Sequence, residues 1–316
     1  MTAKRPLGVT LAAVAAILGS GLFILMGLGM LLTVFVPSPQ PALPLVKAVS
    51  VVMCFVLLGV AGWGITTSVG LFRMRGWSRW SILTFSGLLA FMCGSSAVMI
   101  TVIPFPVSPE VSAQVMDGIK IAISVFYGVL ALMGVFWLYY FNTARVRTQF
   151  GPGAGTDGPG GRPLSISIIA WLALVGGVFC AVAAFSPWPA MVFGLIFTGW
   201  AARVFYLAFA AIEVWIGTGL LRLNPLSRLV AIGMFAYTIL NSALFVLLPG
   251  YGERVRTMLE RFPSPIPAPL GYDPTSSTAA GALLGSLVSI VPIWFLISRR
   301  RAFKPQQGPP EGVFLP

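Results

Sequence analysis

Apolar residues run through this chain in long blocks separated by short polar or proline-rich breaks. Blocks that reach the roughly 20 residues needed to cross a bilayer cover 7–36, 46–72, 80–103, 118–141, 164–185, 200–221, 228–248 and 277–298. Each predicts a transmembrane helix, because a segment in lipid must satisfy its backbone polar groups internally. The pattern therefore implies an all-α polytopic membrane protein with eight transmembrane helices.

The pattern also occurs twice. Ser38-Pro39-Gln40-Pro41-Ala42 recurs as Ser186-Pro187-Trp188-Pro189-Ala190, an offset of 148. Gly70-Leu71-Phe72-Arg73 followed by Ser78-Arg79 recurs as Gly219-Leu220-Leu221-Arg222 followed by Ser227-Arg228, an offset of 149. Arg5-Pro6-Leu7 and Trp137 find weaker echoes 157 positions on, in Arg162-Pro163-Leu164 and Trp294. Four helices per half is an even number, so both halves insert with the same orientation, as two parallel tandem four-helix repeats. The first repeat spans 1–149 and the second 164–304. Between them 150–163 reads as a flexible Gly/Pro cytoplasmic linker, and 305–316 as a disordered cytoplasmic tail.

Composition identifies the solvent. Hydrophobic residues make up 57% of the 316 and charged residues only 9%, where a soluble domain carries roughly 25% charged residues. A net charge of +12 would suggest nucleic acid if the basic residues formed a patch. Instead, 14 of the 20 lie at one end of the predicted helices: Lys4, Arg5, Arg73, Arg75, Arg79, Arg145, Arg147, Arg162, Arg222, Arg228, Arg299, Arg300, Arg301 and Lys304. Short cytoplasmic loops retain Lys and Arg, so that end and both termini are expected in the cytoplasm of a plasma or bacterial inner membrane. The expected partner is the bilayer, through its anionic headgroups, and not nucleic acid. The first block follows Lys4 and Arg5 but is too long for a signal peptide and lacks a cleavage pattern, so it reads as an uncleaved helix. Cys54, Cys93 and Cys180 fall inside predicted helices, where a thiol acts as a small apolar side chain.

The repeated arginines, Arg73, Arg79, Arg222 and Arg228, flank the turn between the second and third helix of each half. They are expected to be interfacial anchors reaching lipid phosphates, with ligand binding as the lesser alternative. Rows of small residues, Ala12, Ala16 and Ser20 and then Gly281, Gly285 and Ser289, suit close helix packing between the halves or in a homo-oligomer. Around Glu253 the outer loop is amphipathic, with Val255, Met258, Leu259 and Phe262 on one face and Arg254, Glu260 and Arg261 turned away. It reads first as a lid on the helix ends.

Candidate chemistry is sparse. The chain has no histidine, which removes the commonest general base and zinc ligand, and no phosphate loop, nucleophile elbow or zinc-protease motif is present. No cofactor or metal is implied. Glu213 departs from this background. It lies nine residues before Arg222, roughly 13 Å inside the boundary at 1.5 Å per residue, where an unpaired charge is costly. Such an acid must be protonated, paired or facing a polar cavity. Tyr237 is nine residues beyond Arg228 on the antiparallel seventh helix, at matching depth, and Thr238 and Asn241 continue a polar patch. A hydrogen bond from Tyr237 or Thr238 to Glu213 is the expectation. Three roles follow: a non-enzymatic structural, regulatory or assembly protein; a small-molecule or proton-coupled carrier with its site near Glu213; or a membrane-embedded enzyme using outer-face carboxylates such as Glu110, Asp117, Glu253 or Asp273.

Overall fold

A computed structural model describes residues 6–35, 44–102, 113–150, 162–186, 188–261 and 274–303. Eight helices among them are long and apolar enough to cross a membrane: α1 (Leu7–Phe35), α2 (Pro44–Phe72), α3 (Gly76–Val102), α4 (Ala113–Asn142), α6 (Leu164–Ala184), α7 (Gly199–Leu221), α8 (Pro225–Leu247) and α10 (Pro274–Ser298). Their bounds follow the apolar blocks to within a few residues. Two short helices, α5 (Ala144–Arg147) and α9 (Tyr251–Arg261), two single 3-10 turns (Thr148–Phe150 and Arg300–Phe303), and a hairpin of β1 (Ala190–Val192) and β2 (Leu195–Phe197) complete the described elements. Large apolar side chains point outward all round, with Phe55 and Leu132 each 70% exposed. Such a surface is stable only against lipid, which is as apolar as the core. The chain is an integral membrane protein.

The long helices associate in pairs: α1 lies along α2, α3 along α4, α6 along α7, and α8 against α10. Smaller contacts join α2 to α3 and α7 to α8, while α3 meets α6 and α10 where the first four spans adjoin the second four. At that junction Trp63 of α2 stacks on Trp171 of α6 with ring centroids 5.4 Å apart, and the Trp63 indole donates to Ser81 Oγ at 2.6 Å. The row Ala12, Ala16 and Ser20 is buried. A Cβ on Gly64 of α2 would meet Ser20 Oγ and, at 3.5 Å, the carbonyl of Ala16. This seam therefore joins α1 to α2 and is not open to the other half or to a second copy.

Two turns share one backbone design. The α2–α3 turn closes with Met74 N–H donating to Leu71 O at 3.0 Å and Arg75 N–H to Gly70 O at 3.0 Å; the α7–α8 turn closes with Leu223 N–H to Leu220 O at 3.0 Å and Asn224 N–H to Gly219 O at 2.9 Å. These paired bonds form a Schellman cap, whose penultimate position needs a left-handed backbone. Met74 (φ 50°) and Leu223 (φ 55°) occupy it, although a side chain there costs about 1 kcal/mol. Both side chains pack on the adjoining buried cluster, which offsets that strain. The first cluster gathers Val9, Ala12, Ala13, Leu71, Phe141 and Phe150; the second gathers Ile166, Ile169, Ala170, Leu220, Leu296 and Phe303.

The hairpin was not legible as strands in the pattern of apolar blocks. Its two-residue loop places Phe193 (φ 49°) and Gly194 (φ 83°) left-handed, the geometry that matches strand twist in a tight hairpin. Helix α9 contacts α8 and α10 and buries Val255 fully. Arg254 does not turn away as expected. Its guanidinium donates to the carbonyls of Pro249 at 2.6 Å, Leu248 at 3.0 Å and Phe245 at 3.1 Å, because the end of α8 leaves carbonyls without helical partners. The 305–316 tail, most of the linker, Glu110, Phe262, Asp273 and the first Ser-Pro-x-Pro-Ala turn lie outside the described residues.

Candidate intramembrane site

Glu213 sits near the middle of α7, whose 23 residues make a rod about 35 Å long at 1.5 Å per residue. Its side chain turns toward α6. There Gly176 provides the room: a Cβ at that position would meet the carboxylate, with Cδ only 3.0 Å away. The Oε2 atom is buried and accepts no hydrogen bond. Glu213 also belongs to the wall of a cavity of about 190 Å³, lined by Phe91 of α3, Ala173 of α6, Phe235 and Thr238 of α8, and Val288, Ser289 and Pro292 of α10. Both groups of four spans thus contribute to one pocket.

The expected partners are placed differently from each other. Thr238 shares the cavity with Glu213, but its hydroxyl donates to Met234 O at 3.0 Å on its own helix. Tyr237 points aside: its ring meets Phe193 at 5.2 Å and Phe209 at 5.4 Å, and its buried hydroxyl has no partner. The anticipated hydrogen bond to Glu213 is not formed. Equal depth along two antiparallel helices fixes height but not azimuth, and successive residues on a helix point about 100° apart. Asn241 belongs to another structure altogether. Its Oδ1 accepts from Phe193 N–H at 2.5 Å and its Nδ2 donates to Met191 O at 3.1 Å, which ties the hairpin to α8.

Among the arginines, Arg73 and Arg222 are exposed beside their turns, as anchors would be. Arg79 is not an anchor. It is fully buried, with Nε donating to Phe141 O at 2.9 Å and Nη2 to Asn142 Oδ1 at 3.2 Å. It closes the end of α4 and stacks over Trp80 at 5.1 Å. Arg228, at the matching place, is half-buried, stands over the Phe303 ring at 5.6 Å, and leaves its buried Nε without a partner. Arg162 serves the second group differently, donating to the Leu221 carbonyl at the end of α7 and to Ser167 Oγ; burial lowers its pKa from the usual arginine value.

Two features of the site lay beyond sequence reasoning. Pro292 interrupts α10 and has no N–H to give the carbonyl of Val288, four residues earlier. The second is Gly176, a glycine among many in apolar helices, which became meaningful only once α6 was paired with α7. No protein-family model, curated protein or solved structure matches the chain.

Proposed function

We propose that this chain is a carrier of the cell membrane that moves a small solute or proton through an intramembrane site at Glu213. The observation that carries the reading is Glu213 on the wall of a cavity shared by α3, α6, α7, α8 and α10, with its Oε2 buried and unpartnered. A carboxylate kept only to join helices would be hydrogen-bonded to one of them, because a buried polar group left unpaired costs more than the bond contributes. An unpaired acid in a mid-membrane cavity is instead the arrangement expected of a binding group. Proton flux into proteoliposomes tests this. Wild type should pass protons under a pH gradient and Glu213→Gln should not; equal flux from both, or none from either, would leave a structural or assembly role.

In the same reading the fold is two parallel four-helix repeats with the termini and the linker around Gly155 in the cytoplasm. Supporting it are the two turns of one design, the same order of helix pairing in each group, and exposed Arg73, Arg75, Arg145, Arg222, Arg299, Arg300 and Arg301, placed to meet anionic headgroups. Reporter fusions at Gly155 and after Pro316 should both report cytoplasm. An external signal at either would remove the assignment.

A further inference from the structure

With Glu213 ionised, the polar groups around the cavity share one property: they accept hydrogen bonds. Glu213 brings a carboxylate to the wall, and its Oε2, packed against Gly176, has no donor. Thr238 and Ser289 carry hydroxyls, but each proton is already directed at a carbonyl of its own helix, Met234 O at 3.0 Å and Gly285 O at 3.0 Å, so both oxygens have only lone pairs left to offer. Val288 adds a backbone carbonyl that Pro292 cannot satisfy. The remaining wall is apolar, with the rings of Phe91 and Phe235 among it, and among the described residues it includes no lysine or arginine. A ligand matched to such a wall must donate without accepting, must carry positive charge opposite the carboxylate, and must be apolar elsewhere.

We propose that the cavity binds an apolar primary ammonium about the size of a single aromatic ring. An ammonium offers three donors and no acceptor, and its charge gains from the faces of aromatic rings as well as from a carboxylate. Size agrees: an apolar cavity of about 150 Å³ takes a benzene ring, and the 190 Å³ here leaves room for an aminomethyl group. A bare alkali cation would meet the same acceptors but leave the apolar wall unfilled. This inference rests on the intramembrane site of the preceding section, though not on transport through it.

The test is equilibrium binding of radiolabelled benzylamine to the full chain in lipid nanodiscs, with empty nanodiscs subtracted and benzyl alcohol as the neutral competitor of similar shape. Wild type should bind saturably. Benzyl alcohol should fail to displace the amine, and Glu213→Gln should weaken it at least tenfold while the protein stays monodisperse and helical. Ala173→Leu narrows the cavity from α6 and leaves the carboxylate in place; it too should abolish binding, and it serves if the glutamine variant does not fold. Unchanged affinity in either folded variant, displacement by benzyl alcohol, or saturable sodium binding without amine binding would overturn the proposal. Benzylamine binding without proton flux would keep this inference and remove the carrier reading. Glu213-dependent proton flux without benzylamine binding would do the reverse.

Discussion

Two helix pairs bear comparison, α1 with α2 and α6 with α7. In the first, Gly64 on α2 receives Ser20 of α1, whose hydroxyl turns back to Ala16 O at 2.7 Å. In the second, the place 149 residues after Gly64 is Glu213, and the glycine has moved to the other helix, as Gly176 on α6. Each seam sets something small against something polar. The first small polar group satisfies itself within its helix, whereas an ionised carboxylate has no proton to give a carbonyl, and its Oε2 is left without a partner. A similar divergence separates the two turns, where the shared caps carry Arg79 fully paired and Arg228 with a free Nε. The two turns thus share a backbone while their side chains take on different duties.

The largest expected effect separates the two arginines. Arg79→Ala removes a fully buried cation and leaves the end of α4 open, a loss of about 3 kcal/mol on the scale of broken buried charge interactions. Arg228→Ala loses little beyond a ring contact, under about 1 kcal/mol. Thermal unfolding of the two variants in detergent should show the first far less stable. Equal losses would mean that the difference between the arginines has no energetic content.

Much of this contrast could not be read from the sequence. The eight spans were legible because apolar length alone decides which segments stay in lipid, and Glu213 stood out because acids are rare at that depth. Arg79 departs from its expectation because Lys and Arg at helix ends usually reach the headgroups, and nothing local reveals that the end of α4 comes to lie on it. The Glu213 cavity was legible as a depth but not as a shape, since its walls come from five helices. The hairpin was hidden because Met191 to Phe197 is too short and too apolar to separate from the neighbouring spans.

A control sharpens the comparison. A Cβ on Gly70 would lie 2.6 Å from Ser78 Cβ, and one on Gly219 would lie 2.7 Å from Ser227 Cβ, with both serines fully buried. Gly70→Ala and Gly219→Ala should therefore cost about the same, about 2 kcal/mol each, as overpacking does. A large inequality in melting temperature would break the claim that the two turns share a design.

Gly176→Ala should have a smaller effect, about 1.5 kcal/mol from overpacking, because the colliding atoms belong to a side chain that can move. The cost should vanish once Glu213 is replaced by Ala. A double-mutant cycle in unfolding free energy reads the coupling directly. Additive losses would show that Gly176 answers to something other than the carboxylate.

The smallest effect concerns the outer end. Met92 stands 149 residues before Asn241, is 41% exposed and carries no amide that could hold a loop as Asn241 does. Phe193 carries a bulky side chain at φ 49°, a conformation that costs about 1 kcal/mol, and its N–H is held by Asn241 at 2.5 Å. Asn241→Ala removes that acceptor and the donor to Met191 O together. Two neutral hydrogen bonds near the water interface should amount to about 1 kcal/mol, too little to disturb α8 but enough to loosen the hairpin. Hydrogen exchange at the Phe193 amide should quicken roughly fivefold, since about 1.4 kcal/mol corresponds to tenfold, while amides in the middle of α8 stay unchanged. Asn241→Asp keeps the acceptor and should protect Phe193 better than Ala does. If all three proteins exchange alike at Phe193, the hairpin is held by its rings on Tyr237 and not by Asn241.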